Sequence, residues 1–153
     1  MKIQEYLEGK KVVFEVREHA PVYTAQEVAA QEHISGKMLA KAVIVKADEN
    51  FVLCVLPASC KLDLEKTAMA LGADQVYLAD ETDLARLFPD SEVGAEPPFG
   101  NLYDLPTLVD SMLALDKEIV FQAGSHSKAI RMLFEDYRNL VQPDIADIGI
   151  KAT

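Results

Sequence analysis

The stretch Leu39-Ala40-Lys41-Ala42-Val43-Ile44-Val45-Lys46-Ala47, followed by Asp48-Glu49-Asn50 and Phe51-Val52-Leu53-Cys54-Val55-Leu56-Pro57, reads as a β-hairpin. Apolar, Val-rich residues fill both arms and a short polar segment joins them. A three-residue loop centred on Glu49 sets Val45 opposite Leu53, Val43 opposite Val55 and Lys41 opposite Pro57. Alternation puts Lys41 on one face with Val43 and Val45, and Lys46 on the other with Ala42 and Ile44. Lys46, next to the turn, reads as ordinary surface. Lys41 has two readings: a functional charge on a Val-lined face, or a side chain snorkelling off the sheet edge.

Helices and strands alternate irregularly around this hairpin. A short helix is expected over residues 2–8, and Lys11–Glu18 reads as a strand. Thr24 and Glu27 form a capping box, flanked by Tyr23 and Val28 as a hydrophobic staple, which predicts a helix over residues 25–32. Downstream, Asp63–Gly72 is a helix with an aspartate cap and a glycine stop. A short strand Gln75–Ala79 and a helix capped by Asp80 follow, then strands Leu105–Asp110 and Glu118–Ala123. Residues 111–115 are ambiguous. Residues 128–141 fit either one helix or a strand Ala129–Leu133 followed by a helix from Glu135, and Pro143 ends any helix there, leaving a short tail. Tight hairpins mixed with helices favour an α+β sheet over a regular doubly wound one.

The chain has 153 residues, half of them apolar and 26% charged, which suits one globular domain. No apolar run approaches the ~20 residues of a membrane span, and acidic residues near the N-terminus do not fit a signal peptide. A cytoplasmic protein without membrane attachment is expected. The net charge of −10 argues against a general DNA or RNA binder. The first 46 residues nevertheless hold seven Lys/Arg against six Asp/Glu, while the remainder hold eight against nineteen. A nucleic acid gripped at one end therefore stays open.

Cys54 falls mid-strand as a small hydrophobe, and Cys60 falls in a loop with no obvious activating base beside it. His19, His33 and His126 lie far apart, with no metal-binding spacing, so no metal is expected. Phosphate-binding glycine loops and a GxSxG elbow are absent. Besides Lys41, two features remain. Gly94-Ala95-Glu96-Pro97-Pro98-Phe99-Gly100 is too apolar for a solvated tip and stiffened by two prolines, so it reads as a loop lining a site. Gly124-Ser125-His126-Ser127 is a polar turn, either pocket lining or a turn capped by hydroxyls.

Taken in order, Ala40–Ala47, Val55-Leu56-Pro57-Ala58, Gly94-x-x-x-Pro98 with Phe99-Gly100, Leu105-Pro106 with Asp110, and Gly124-Ser125-His126 resemble a known family. It is the YbaK/prolyl-tRNA-synthetase-associated editing domain family of aminoacyl-tRNA deacylases, and the match runs from about His33 to Pro143. The resemblance implies a mixed, partly barrel-like β-sheet surrounded by helices, with residues 129–133 as a strand. It implies no cofactor, and aminoacyl-tRNA as partner, gripped at its acceptor end. The family's lysine falls on Lys41, expected to hold the tRNA 3′ end. Its GxxxP loop falls on Gly94–Pro98, expected to position the aminoacyl group. Gly124, Ser125 and His126 become pocket members, while Asp110 fits a structural role at least as well as a site role.

An aminoacyl ester is already activated, so orientation, a placed water and oxyanion stabilisation suffice, without a strong nucleophile. Pro97 and Pro98 have no N–H, which leaves Ala95, Glu96, Phe99 and Gly100 as candidate oxyanion donors in the loop. Two rival readings are a catalytically silent module using the same pocket and a thiol enzyme at Cys60. Without a fused synthetase or anticodon-binding segment, a free-standing, trans-acting form is expected. The amino acid and tRNA recognised, and the oligomeric state, are not set by these residues.

Overall fold

The computed structural model describes residues 2–19 and 38–151. The helix expected over residues 25–32, and His33, lie outside them. The hairpin comprises β2 (Ala40–Ala47) and β3 (Asn50–Pro57), the centre of a five-stranded sheet. Preceding it are α1 (Lys2–Gly9) and β1 (Phe14–Glu18). Following it come β4 (Cys60–Leu62), α2 (Leu64–Leu71), β5 (Val76–Leu78) and α3 (Glu81–Leu87). The second half supplies β6 (Thr107–Asp110), β7 (Glu118–Gln122), β8 (Lys128–Leu133), α4 (Phe134–Val141), β9 (Asp144–Ala146) and β10 (Gly149–Lys151). The large sheet runs β5-β2-β3-β6-β9, a second runs β1-β8-β7, and β10 pairs with β4. The β3–β6 and β6–β9 pairings are parallel, the hairpin antiparallel. The fold is α+β with a mixed sheet.

The hairpin register differs from expectation by one residue. Its loop has two residues, not three: Ala47 pairs with Asn50, Val43 with Cys54 and Lys41 with Leu56. The cause lies in Asp48, which sits at φ +52, a conformation short polar side chains tolerate. Its carboxylate accepts from the N–H groups of Asp74 (3.1 Å) and Gln75 (3.0 Å), and its own N–H donates to Gln75 O. These distant contacts tighten the turn. The face of Lys41 is unchanged, because alternation along β2 does not depend on the partner.

Local chemistry sets the helix ends. Asp63 accepts from the Glu65 and Lys66 N–H groups, and Gly72 closes α2 at φ +65. Asp80 and Asp83 form a capping box for α3. Residues 128–133 resolve to strand: Ile130 and Met132 enter the main core while Arg131 between them stays half-buried and Leu133 is exposed, the period-2 pattern of a sheet. Two readings need correction. Cys60 lies in a strand, not a loop, because Lys151 of β10 pairs across it. The short tail after Pro143 holds two strands, and their partners, β6 and β4, are remote in sequence.

The two main sheets touch at one parallel bridge, Leu39 to Val120, where the Val120 N–H donates to Met38 O (3.2 Å). They do not close into a barrel. The main core collects Ala40, Ile44, Leu53, Val55, Phe99, Phe121, Ile130 and Tyr137; Val45, Val52 and Cys54 pack on the opposite face of the hairpin. Cys54 is fully buried, which pushes its thiol up to about 12. No helix among the described residues is long and apolar enough to cross a membrane.

Candidate functional site

The Gly94–Gly100 loop is buried from Ala95 onward and exposed at Glu92–Gly94. Phe99 anchors it. Its ring meets Tyr137 edge-on (centroids 5.1 Å, 89°), tilts against Phe121 (5.4 Å) and meets Tyr6 at 6.1 Å. The Tyr137 hydroxyl donates to Pro98 O at 2.6 Å. Burial raises that phenol well above its ordinary value, so it stays a donor. Tyr137→Phe is expected to lose about 1–2 kcal/mol, because the Pro98 carbonyl keeps no donor. Thermal denaturation checks this; an unchanged Tm would show that the carbonyl needs no tyrosine.

The other end of the loop is zipped to the 124–127 turn. Glu92 N–H donates to Gly124 O (2.8 Å), and Gly124 N–H donates to Ala95 O (2.8 Å). His126 N–H reaches Glu92 Oε1 at 3.3 Å, and His126 Nε2 lies 2.8 Å from Val93 O. A carbonyl only accepts, so Nε2 carries the proton in that contact. Gly94 sits at φ +90 with the His126 ring against it: a Cβ there would stand 3.4 Å from Cε1. The φ calls for glycine, while that contact distance is ordinary van der Waals packing. Ser125 and Ser127 bond each other through their hydroxyls at 2.9 Å.

Glu96 is nearly buried, and its carboxylate accepts the Gly94 N–H at 2.8 Å. Burial raises its pKa, opposed by the N–H groups of Gly94 and Glu96 and by His126. A raised native pKa means a contribution present below the ordinary value of 4.5 and lost as pH rises through the native one. Glu96→Gln is therefore expected to gain stability relative to wild type as pH rises from about 4.5 toward neutrality. Melting curves of both proteins across that range test it, and a constant Tm difference would refute it.

Three of the four proposed oxyanion donors are already engaged. Ala95 N–H donates to Glu92 O (3.0 Å), Phe99 N–H to Pro97 O (2.8 Å) and Gly100 N–H to Thr107 Oγ1 (3.1 Å). The fourth, Glu96 N–H, serves its own carboxylate. These bonds tie the loop down and use up its donors. At Gly100 an added Cβ would overlap Thr107 Oγ1 and stand 2.5 Å from Leu105 O, so the loop exit admits no side chain.

Lys41 stands apart from this cluster. It is half-buried on the face of Val43 and Val45, and burial lowers its pKa, with Cys60 acting in the opposite sense. Among the described residues no carboxylate pairs with it, and no hydrogen bond joins it to the loop. Asp110, 1% exposed, accepts from the N–H groups of Ile148 and Gly149 (both 2.9 Å) and of Met112 (3.1 Å). That is a backbone clamp. A cavity of about 570 Å³ beside Asp48, Phe51, Gly72 and Asp104 lies at the opposite end of β2 from Lys41 and shares none of these residues.

Glu92, Thr107, Tyr137 and Gln122 were missed by sequence reading. The first three act through contacts 7 to 39 residues away in sequence, which no local pattern signals. Gln122 Nε2 is shielded from solvent and has no hydrogen-bond partner.

The family model of the aminoacyl-tRNA editing domain matches residues 19–140. The multifunctional Ser/Thr-tRNA deacylase ProXp-y of Escherichia coli K12 is 28% identical over 139 residues, covering 88% of this chain and 83% of its own. A crystal structure of a candidate trans-editing enzyme for prolyl-tRNA synthetase superposes with a TM-score of 0.86 at 22% identity, over 97% of this chain and 95% of its own. Another, of a hypothetical protein, gives 0.89 at 20% identity, over 98% and 100%. The two crystal structures speak for the fold.

Proposed function

Because this chain belongs to the aminoacyl-tRNA editing domain family, a family of aminoacyl-tRNA deacylases, we propose that it hydrolyses mischarged tRNA with Lys41 at the tRNA 3′ end. The observation that carries this reading is Lys41 itself. An ammonium drawn into a Val-lined face gains from an opposing charge, and this one has no carboxylate partner among the described residues of a chain with net charge −10. An anionic or strongly polar substrate group completes it. The Gly94 end of the loop, held by Gly124 and His126, positions the aminoacyl group.

Water adds to the ester carbonyl carbon, the tetrahedral intermediate collapses, and the bond to the ribose oxygen breaks. That oxygen takes a proton, and free amino acid and tRNA leave. With the Ala95, Phe99 and Gly100 N–H groups engaged, positive charge from Lys41 is the favourable field for the developing oxyanion.

The E. coli relative is a Ser/Thr-tRNA deacylase, so seryl and threonyl esters are the substrates to try first. The test is hydrolysis of a panel of aminoacyl-tRNAs by the wild-type protein. Cleavage of one or more esters above the spontaneous rate is expected; inertness toward all of them overturns the reading.

A further inference from the structure

Gln122 ends β7 directly before the Ala123–His126 segment that braces the loop. Its Nε2 is shielded from solvent without a hydrogen-bond partner, and no described residue bonds its carboxamide. A buried amide left unbonded is a standing cost in a native structure. Its position gives that cost a purpose. Leu39 and Val120 are bridged in parallel, and parallel strands keep same-face residues in step. Two residues onward come Lys41 on β2 and Gln122 on β7.

Among the described residues, no strand pairs with that edge of β2 between the Leu39 bridge and Val45, where β5 begins. The pairing between the two sheets ends at that bridge, with Lys41 two residues past it on β2 and Gln122 two residues past it on β7, and the chain leaves Gln122 toward the turn that holds Gly94. To a phosphate beside a lysine a carboxamide adds donors but no charge, and its acceptor oxygen goes unused. It donates and accepts at once, as a hydroxyl does.

We infer that the Gln122 carboxamide receives the side-chain hydroxyl of the aminoacyl group and so selects hydroxylated esters. This rests on the deacylase reading above. A site built to bond a hydroxyl discriminates strongly against the analogue that lacks it. Wild type is expected to prefer seryl- over alanyl-tRNA by about tenfold or more. Gln122→Leu removes an unpaired amide, so its Tm should equal or exceed that of wild type.

The experiment compares wild type, Gln122→Leu and Gln122→Met in two arms. One measures hydrolysis of seryl- and alanyl-tRNA. The other measures binding of the seryl and alanyl amides of 3′-amino-3′-deoxyadenosine by calorimetry. The expected result is a loss of about tenfold on the seryl compounds, with the alanyl ones within about twofold. Equal losses on both, a fall in Tm, or no loss at all overturns the assignment. Wild type that hydrolyses nothing overturns the deacylase reading alone, because the binding arm still reports on Gln122.

Discussion

Lys41→Ala is expected to lose at least about 100-fold in kcat/KM for deacylation, the scale of removing one preorganised electrostatic contact from a hydrolytic site. Stability should move the other way. Burial lowers the native pKa of Lys41 below its ordinary 10.5. A depressed native pKa gives stability above the unfolded value and loses it as pH falls through the native one. At neutral pH the ammonium is charged in both states, so the folded protein bears its desolvation. Lys41→Met, which fills the same volume without charge, should therefore melt at or above the wild-type temperature at neutral pH, with the gain fading toward pH 10.5.

Measured together, kinetics and melting separate a functional lysine from a snorkelling one. Equal activity in wild type and Lys41→Ala would leave only the snorkelling reading. The kinetic split also locates the partner. Loss of a phosphate contact raises KM and weakens the salt dependence of tRNA binding by about one charge. Loss of a contact to the ester oxygen lowers kcat instead.

What could be read from the residues was local. Asp63 with Gly72, and Asp80, announced α2 and α3 through capping chemistry, and both caps are present. The hairpin announced itself through composition, but its register depended on Asp48 bonding Asp74 and Gln75, and no hairpin rule sees that far along the chain. The tail strands were invisible for the same reason: β9 and β10 are three residues each, and they exist because β6 and β4 offer them an edge. In the loop, two prolines signalled stiffness. They did not signal the bonds from Ala95, Phe99 and Gly100 that leave few N–H groups for substrate. Gln122 carried no motif at all. Its interest lies in a missing partner, which is a property of the tertiary packing.

Asp110→Ala is expected to destabilise the protein by about 3 kcal/mol or more, since it orphans three N–H groups at about 1–3 kcal/mol each when buried. Native stability is on the order of 5–15 kcal/mol, so a fall in Tm of roughly 10 °C follows, with partial unfolding near physiological temperature. The geometry leaves little room for repair. Oδ1 takes both the Ile148 and Gly149 N–H groups, and Oδ2 takes Met112. A Cβ at Gly149 would lie 3.3 Å from Cys60 Cβ and 3.4 Å from Asp110 Oδ1, so the backbone is drawn in close. β6 carries β9 on its far edge, and β10 pairs with β4, so the clamp ties the end of the chain to the five-stranded sheet and to the β10–β4 pair. Asp110→Asn separates the structural role from a catalytic one. Its amide oxygen can still accept from Ile148 and Gly149, but its NH₂ faces the Met112 N–H, donor against donor. A loss of about 1–2 kcal/mol is expected, with kcat/KM within a few-fold of wild type for the folded protein. Retained Tm with lost activity would instead place Asp110 in the chemistry. Three backbone donors on one buried carboxylate argue for the clamp.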